Sequence, residues 1–224
     1  MEFWNLFTSI ETFLVNTQEF KGLGWESEQR SLTIGFIGIC FFTILGAYGQ
    51  YKQSKKIWVE ESGESVSVIW NTVFTFTFAS FFVYGIETYN LACIIHGFRT
   101  LFYIPILIGL YKFNCFTKRE IWLCILMLIT VITMPFLTRE TMTIFFTSFI
   151  LAGIVAAGFQ PWEIYKNKRR GNVSLEFISI YAISTTFWIV YTYIIEDKIL
   201  FYMTVSYLVI YTTTIFLWFR YKEV

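Results

Sequence analysis

Seven apolar runs divide this chain, at about residues 32–49, 66–86, 89–111, 120–137, 141–159, 175–194 and 199–219. An α-helix needs roughly 20 apolar residues to cross a bilayer, and each run comes close to that or exceeds it. Backbone groups in hydrocarbon find no water, so each run must satisfy its own hydrogen bonds, and helices are expected. Phe, Tyr and Thr are abundant and would favour strands in water, but the length of the runs and the burial constraint outweigh that propensity. Composition agrees. The chain is 56% hydrophobic and 15% charged, whereas soluble domains sit near 45–50% and 25%. A net charge of +1 and the lack of a basic stripe exclude nucleic acid as a partner. The expected surroundings are a lipid bilayer.

The connections between runs are short, and their charges alternate. The odd connections and the C-terminal tail hold twelve basic residues: Lys52, Lys55, Lys56, Lys112, Lys118, Arg119, Lys166, Lys168, Arg169, Arg170, Arg220 and Lys222. The even connections and the N-terminal segment hold four: Lys21, Arg30, Arg139 and Lys198. Basic loops stay cytoplasmic, which predicts an integral multi-pass protein with its N-terminus outside and its C-terminus inside. That orientation needs an odd number of spans, and seven satisfies it.

The chain also repeats itself. From Ser67 onward, residues 107 apart match: Ser67 with Ser174, Phe74 with Tyr181, Phe81 with Trp188, Val83 with Val190, Tyr84 with Tyr191, Asn90 with Asp197. Gln50 and Gln160 are 110 apart, as though the first charged loop were three residues longer. Internal repeats in an apolar chain mark many transporter folds, with a substrate site between the repeats.

Three spans, a linker span and three more spans, with a glutamine before a basic loop in each triplet, resemble the PQ-loop superfamily. That group includes the SWEET sugar transporters and cystinosin-like lysosomal exporters, and the KDEL receptors share its fold. The resemblance covers about 32–222. It implies an all-α membrane protein with seven transmembrane helices in two three-helix repeats joined by a linker helix (3+1+3), plus an N-terminal amphipathic helix. The corresponding units are 1–31, 32–112, 113–140 and 141–224. The resemblance also implies that Trp188, with Phe81 as its match, stacks on substrate. A gate or hinge would lie at Gly49-Gln50 and Gln160-Pro161. Here the order of proline and glutamine is reversed in the second copy, and glycine replaces proline in the first. Where SWEET-like repeats place a sugar-binding Asn on the third helix, this chain has Gly97 and Thr204, which points away from a plain sugar.

Near that position stand His96, the chain's one histidine, and Arg99. An arginine at the centre of a membrane helix costs about 2.5–3.5 kcal/mol on insertion scales, so it faces the bundle interior or a wet cavity and usually has a partner. Residues three apart share a helix face. As a functional pair, Arg99 would hold a carboxylate or phosphate with its planar fork, and His96 would couple binding to protons. As a structural pair, Arg99 would bond carbonyls and Tyr hydroxyls, with His96 a neutral link between helices. Their counterparts in the second copy are Met203 and Ser206. Tyr181, Thr204, Ser206 and Asn71 are further candidate substrate contacts, with Asn71 also readable as an interhelical hydrogen bond.

Residues 1–31 carry Phe3, Phe7, Ile10, Phe13 and Leu14 at helical spacing. They read first as an amphipathic anchor in the headgroups, and second as a cap on the bundle or a dock for a partner. The four cysteines, Cys40, Cys93, Cys115 and Cys124, show no ligand spacing and read as small apolar residues. Asn172-Val173-Ser174 matches a glycosylation pattern but falls in a loop expected to be cytoplasmic. No metal spacing or activated nucleophile points to an enzyme, and no cofactor is expected. The expected function is transport of a small polar solute, anionic or zwitterionic, by alternating access. The alternative is a receptor or membrane-complex subunit of the same fold that binds a ligand without moving it. A homo-oligomer, or a membrane partner at the N-terminal helix, stays open.

Overall fold

The computed structural model describes residues 12–24, 26, 29–63, 66–113, 116–168 and 175–221. Every regular element among them is a helix: α1 (Gln18–Gly22), α2 (Arg30–Glu60), α3 (Val68–Thr88), α4 (Leu91–Gly97), α5 (Thr100–Lys112), α6 (Lys118–Thr133), a 3-10 turn (Met134–Phe136), α7 (Arg139–Asn167), α8 (Leu175–Ile194) and α9 (Lys198–Arg220). Six stretches are long and apolar enough to cross a membrane: Arg30–Glu60, Val68–Thr88, Leu91–Lys112, Lys118–Phe136, Arg139–Lys166 and Lys198–Arg220; Ile178–Ile194 is a shorter apolar helix. Their outward faces suit hydrocarbon, with Ile44, Trp122, Ile144, Val155 and Phe216 all exposed. This architecture fits an integral multi-pass membrane protein. Phe3, Phe7, Ile10, Cys115, Arg169, Arg170, the Asn172-Val173-Ser174 pattern and Lys222 lie outside the described residues.

Side-chain caps set the helix starts. Ser67, Asn90, Thr117, Thr138 and Asp197 each accept a backbone N–H from the first turn that follows them. Such caps satisfy donors that a helix start leaves unpaired. The helix stops are equally local. Glu61, Tyr89, Lys168 and Glu196 have left-handed backbone, with φ of 49°, 54°, 54° and 58°. These residues pair at the same separation of 107 that the sequence shows, Glu61 with Lys168 and Tyr89 with Glu196.

That register corrects two expectations. The first basic connection is not a loop, since α2 runs on to Glu60 and α7 runs through Gln160-Pro161 to Asn167. At 1.5 Å per residue, the 31-residue α2 is about 46 Å long and overruns a hydrocarbon core of about 30 Å. Lys52, Lys55, Lys56 and Lys166 therefore ride on helix extensions, and their end of the bundle is called the basic end below. The first connection is also not three residues longer, because both long helices stop at residues 107 apart. Gln50 and Gln160 are therefore not equivalent positions. Gln50 has Ala157 as its counterpart, and Gln160 has Gln53.

α2 packs on α4, α5 and α8, while α7 packs on α3 and α9. α3 lies against α4 and α5, α8 lies against α9, and α6 packs on α3. Small residues allow the closest approaches. A Cβ on Gly38 would overlap the Phe187 ring, and one on Gly97 would sit 2.6 Å from the Phe82 backbone nitrogen. Two apolar clusters fill the interior. One, including Ile39, Phe81, Tyr84, Phe146, Trp188 and Tyr191, lies toward the end marked by Asn90 and Asp197. The other, including Ile57, Phe74, Phe78, Tyr103 and Leu110, lies toward the basic end.

The N-terminal segment differs from its first expectation. Thr17 caps α1, and Glu19 is fully buried at the Asn90–Asp197 end of the bundle. In its described part the segment caps the bundle, and an acidic side chain points inward.

Candidate functional site

The third apolar run is broken where the unusual residues stand. α4 ends at Gly97, α5 begins at Thr100, and Phe98 and Arg99 form the turn between them. The backbone tightens there. The amides of Arg99, Leu101 and Phe102 donate to His96, Phe98 and Arg99, three residues back. Such mid-helix tightening often marks a functional position. Pro105 adds to the irregularity by removing a donor from the first turns of α5, and its own carbonyl accepts from Trp58 Nε1 at 3.0 Å.

Arg99 is 3% exposed, and its guanidinium is held by neutral groups. Nη2 donates to the Tyr181 hydroxyl at 2.6 Å. The Gln50 amide turns its oxygen to the same edge, because its NH2 there would face only donors. That oxygen accepts from Nη2 at 2.6 Å, from Nε at 3.1 Å and from the Tyr103 hydroxyl at 3.2 Å. The Phe78 ring lies beneath, 4.3 Å from Cζ to the ring centre, within cation–π range. Gly46 makes room, since a Cβ there would lie 2.8 Å from Nη2 and 2.9 Å from Cζ. Arg99 forms no ion pair among the described residues, and Nη1 has no hydrogen-bond partner among them. A positive charge thus sits in the apolar interior without a compensating carboxylate, an arrangement that costs several kcal/mol unless another anion supplies it.

A cavity of about 60 Å³ opens beside this guanidinium. At about 10–15 Å³ per water by this measure, it has room for only a few waters. Phe81, His96, Tyr181, Trp188 and Thr204 are on its wall, and Met203 also lines it. His96 Nδ1 shares a hydrogen bond of 3.1 Å with the Thr43 hydroxyl. The imidazole sits among Phe78, Phe81 and Trp188, with ring centres 4.8, 5.2 and 5.0 Å away. Phe81 and Trp188 face each other at 6.0 Å.

The structure therefore brings together Arg99, His96, Phe81, Trp188, Tyr181 and Thr204, and leaves the other candidates elsewhere. Asn71 turns back on its own helix, donating to the Ser67 carbonyl at 2.8 Å, and among the described residues it neither lines the cavity nor makes an interhelical hydrogen bond. The Ser206 hydroxyl likewise donates to the Tyr202 carbonyl and does not line the cavity. Gly49 lies in unbroken helix, and a Cβ there would meet nothing within 4 Å. Pro161 is also inside a continuous helix. Gln160 lines a separate small cavity with Trp70, Phe74, Tyr103, Ile178, Tyr181 and Tyr211. Gln50, expected at a gate, instead braces Arg99.

Two ladders of rings lead from the cavity to the Asn90–Asp197 end. Phe81 meets Phe146 at 5.1 Å, and Phe146 stacks on Tyr84 at 4.0 Å. Trp188 meets Tyr191 at 5.9 Å. The ladders end in a crossed pair of hydrogen bonds. Tyr84 donates to Asp197 Oδ2 at 2.9 Å, and Tyr191 reaches Asn90 Oδ1 at 3.0 Å. Each acceptor also caps the helix that follows it, Asn90 through the Cys93 amide and Asp197 through the Leu200 amide. The sequence matches Tyr84 with Tyr191 and Asn90 with Asp197, but nothing in it tells that each tyrosine reaches the other copy's cap. No protein-family model, curated protein or solved structure matches this chain.

Proposed function

We propose that this chain is a membrane transporter for a small polar solute carrying a negative or zwitterionic group. The observation that carries this reading is the buried, uncompensated Arg99 guanidinium on the wall of a central cavity. A bound carboxylate would supply the missing charge and could take the vacant Nη1, since Arg presents several donors in a planar fork. Phe81, Trp188 and His96 would form the apolar and aromatic wall, and Thr204 would offer a hydroxyl. The cavity is too small for more than a few waters, so the solute would enter by separation of the walls.

Alternating access needs two halves that move against one another. The reading takes residues 32–112 and 141–224 as those halves, with α6 as linker, in the PQ-loop manner. Supporting it are the left-handed caps at matching positions, the crossed tyrosine bonds, and packing in which α2 meets α8 while α7 meets α3. On this reading the basic end lies in the cytoplasm, which the charge asymmetry of the connections supports. The break at Phe98-Arg99 fits a discontinuous spanning helix at a binding site.

The test is uptake into proteoliposomes from a panel of amino acids, organic acids, sugars and nucleosides. At least one anionic or zwitterionic solute should enter, and Arg99→Ala should abolish its entry. Uptake of neutral solutes alone, or uptake indifferent to Arg99→Ala, rejects the reading. Saturable binding without flux would favour a receptor or membrane-complex subunit. The firm bracing of Arg99 by Gln50 and Tyr181 is the observation on that side.

A further inference from the structure

Glu19 has no part in the cavity, yet its side chain is fully buried. Burying a carboxylate is unfavourable unless donors replace its water. Oε1 accepts from the backbone N–H of Ala92 on α4 at 2.7 Å and from the Tyr191 hydroxyl on α8. Oε2 has no partner among the described residues. One oxygen thus connects α4, which packs on α3, with α8, which packs on α9.

The segment around Glu19 is fastened on both sides. Upstream, the Phe13 ring lies 5.2 Å from that of Tyr89, in the turn before α4. Downstream, the Thr33 hydroxyl of α2 accepts from the Gly24 amide at 2.9 Å and approaches the Gly24 carbonyl at 2.8 Å. Gly22 lies tight on Leu32, where a Cβ would come within 2.6 Å of Cδ2.

We infer that residues 12–24 act as a bolt across the Asn90–Asp197 end, with Glu19 the tongue that ties the two sides together, so that this end opens only after Glu19 withdraws. Tyr191 supplies the two-state element. Its single hydroxyl proton faces two acceptors, Glu19 Oε1 and Asn90 Oδ1. While Glu19 is seated the two compete. Once Glu19 leaves, the proton falls to Asn90 alone, and the crossed bonds Tyr191–Asn90 and Tyr84–Asp197 stay behind without the Glu19 tie. The bolted state is therefore the more strongly closed one, and any ligand or partner that draws the segment away shifts the population toward opening.

Hydrogen exchange on the full chain in nanodiscs tests this without reference to any solute, so its outcome is separate from that of the uptake assay. Glu19→Ala should speed exchange by about tenfold or more in residues 89–97 and 188–200 together, while Tyr103 to Leu110 stays protected, as expected for opening of one cooperative unit. Tyr191→Phe, which removes both bonds of the α8 hydroxyl, to Glu19 and to Asn90, but leaves Glu19 on Ala92, should speed exchange in 188–200 more than in 89–97. Faster exchange in 89–97 alone after Glu19→Ala overturns the bolt, because Glu19 would then serve only α4. Loss of protection throughout the chain in both variants also overturns it, since Glu19 and Tyr191 would then be general fold residues.

Discussion

Gly46 and Gly153 stand 107 residues apart, on α2 and α7, and each leaves a gap that a neighbouring side chain fills. Beside Gly46 the filler is the Arg99 guanidinium, and beside Gly153 it is the Tyr207 hydroxyl, 2.5 Å from where a Cβ would stand. The Asn90–Asp197 end behaves differently. There, residues 107 apart do the same work: a tyrosine from one side bonds the helix cap of the other, twice over. The contrast separates two demands. Closing an end calls for matched parts on both sides. On the proposed function, recognising a solute calls for a difference between them, and a charge on one side only is the largest difference available.

The comparison is broken most severely by removing the charge. Arg99→Met keeps much of the apolar stem and should abolish uptake of the anionic solute, a loss of at least about a hundredfold, as expected when one partner of a buried charge pair is removed; appreciable residual flux would mean the cavity works without a cation. Gln50→Glu would place a carboxylate against the guanidinium and supply the missing charge internally. Anion uptake should fall by about tenfold or more while thermal stability in detergent holds or rises, because the buried charge is now paired. An unchanged transport rate would show that Gln50 does not share the solute's side of Arg99.

Smaller effects sharpen the matched end. Tyr84→Phe removes a bond to a carboxylate and should cost about 1.5–3 kcal/mol, while a bond between neutral groups contributes about 0.5–1.5 kcal/mol. Tyr191→Phe loses contact with both Glu19 and Asn90 and should cost at least as much as Tyr84→Phe in thermal unfolding. The reverse order would mean the Glu19 contact is weak. The smallest change concerns the glycine pair near the basic end. Gly46→Ala should depress uptake by displacing Arg99, whereas Gly49→Ala, in open surroundings, should stabilise α2 by about 0.5–1 kcal/mol and leave uptake unchanged. Loss of uptake in Gly49→Ala would restore that glycine as a hinge.

Much of this is legible in the sequence, and the exceptions have physical causes. The spans, the constant separation of matched residues and the burial of Arg99 all follow from how hydrocarbon treats polar groups, and that is written in composition and spacing. The length of α2 is not legible, because Lys52, Lys55 and Lys56 read as loop although they sit on a helix that has left the apolar layer. That misreading hides Gln50, which looks like the start of a loop and lies deep enough to reach Arg99. The break at Phe98 is hidden because Phe98 and Arg99 keep near-helical angles. Glu19 is hidden because an acid on the polar face of a short amphipathic helix reads as solvated. Its tyrosine partner is 172 residues away, beyond any local pattern.

The bracing of Arg99 also has a direction in time. Gln50 and Phe78 precede Arg99 in the chain, as does Gly46, whereas Tyr181 follows it by 82 residues. A ribosome releasing this chain therefore delivers the guanidinium to a membrane where its amide acceptor and its aromatic floor already exist and its hydroxyl acceptor does not. Until α8 is made, the cation is held by the residues before it, and the Tyr181 contact becomes a late act of assembly that fastens α8 to them.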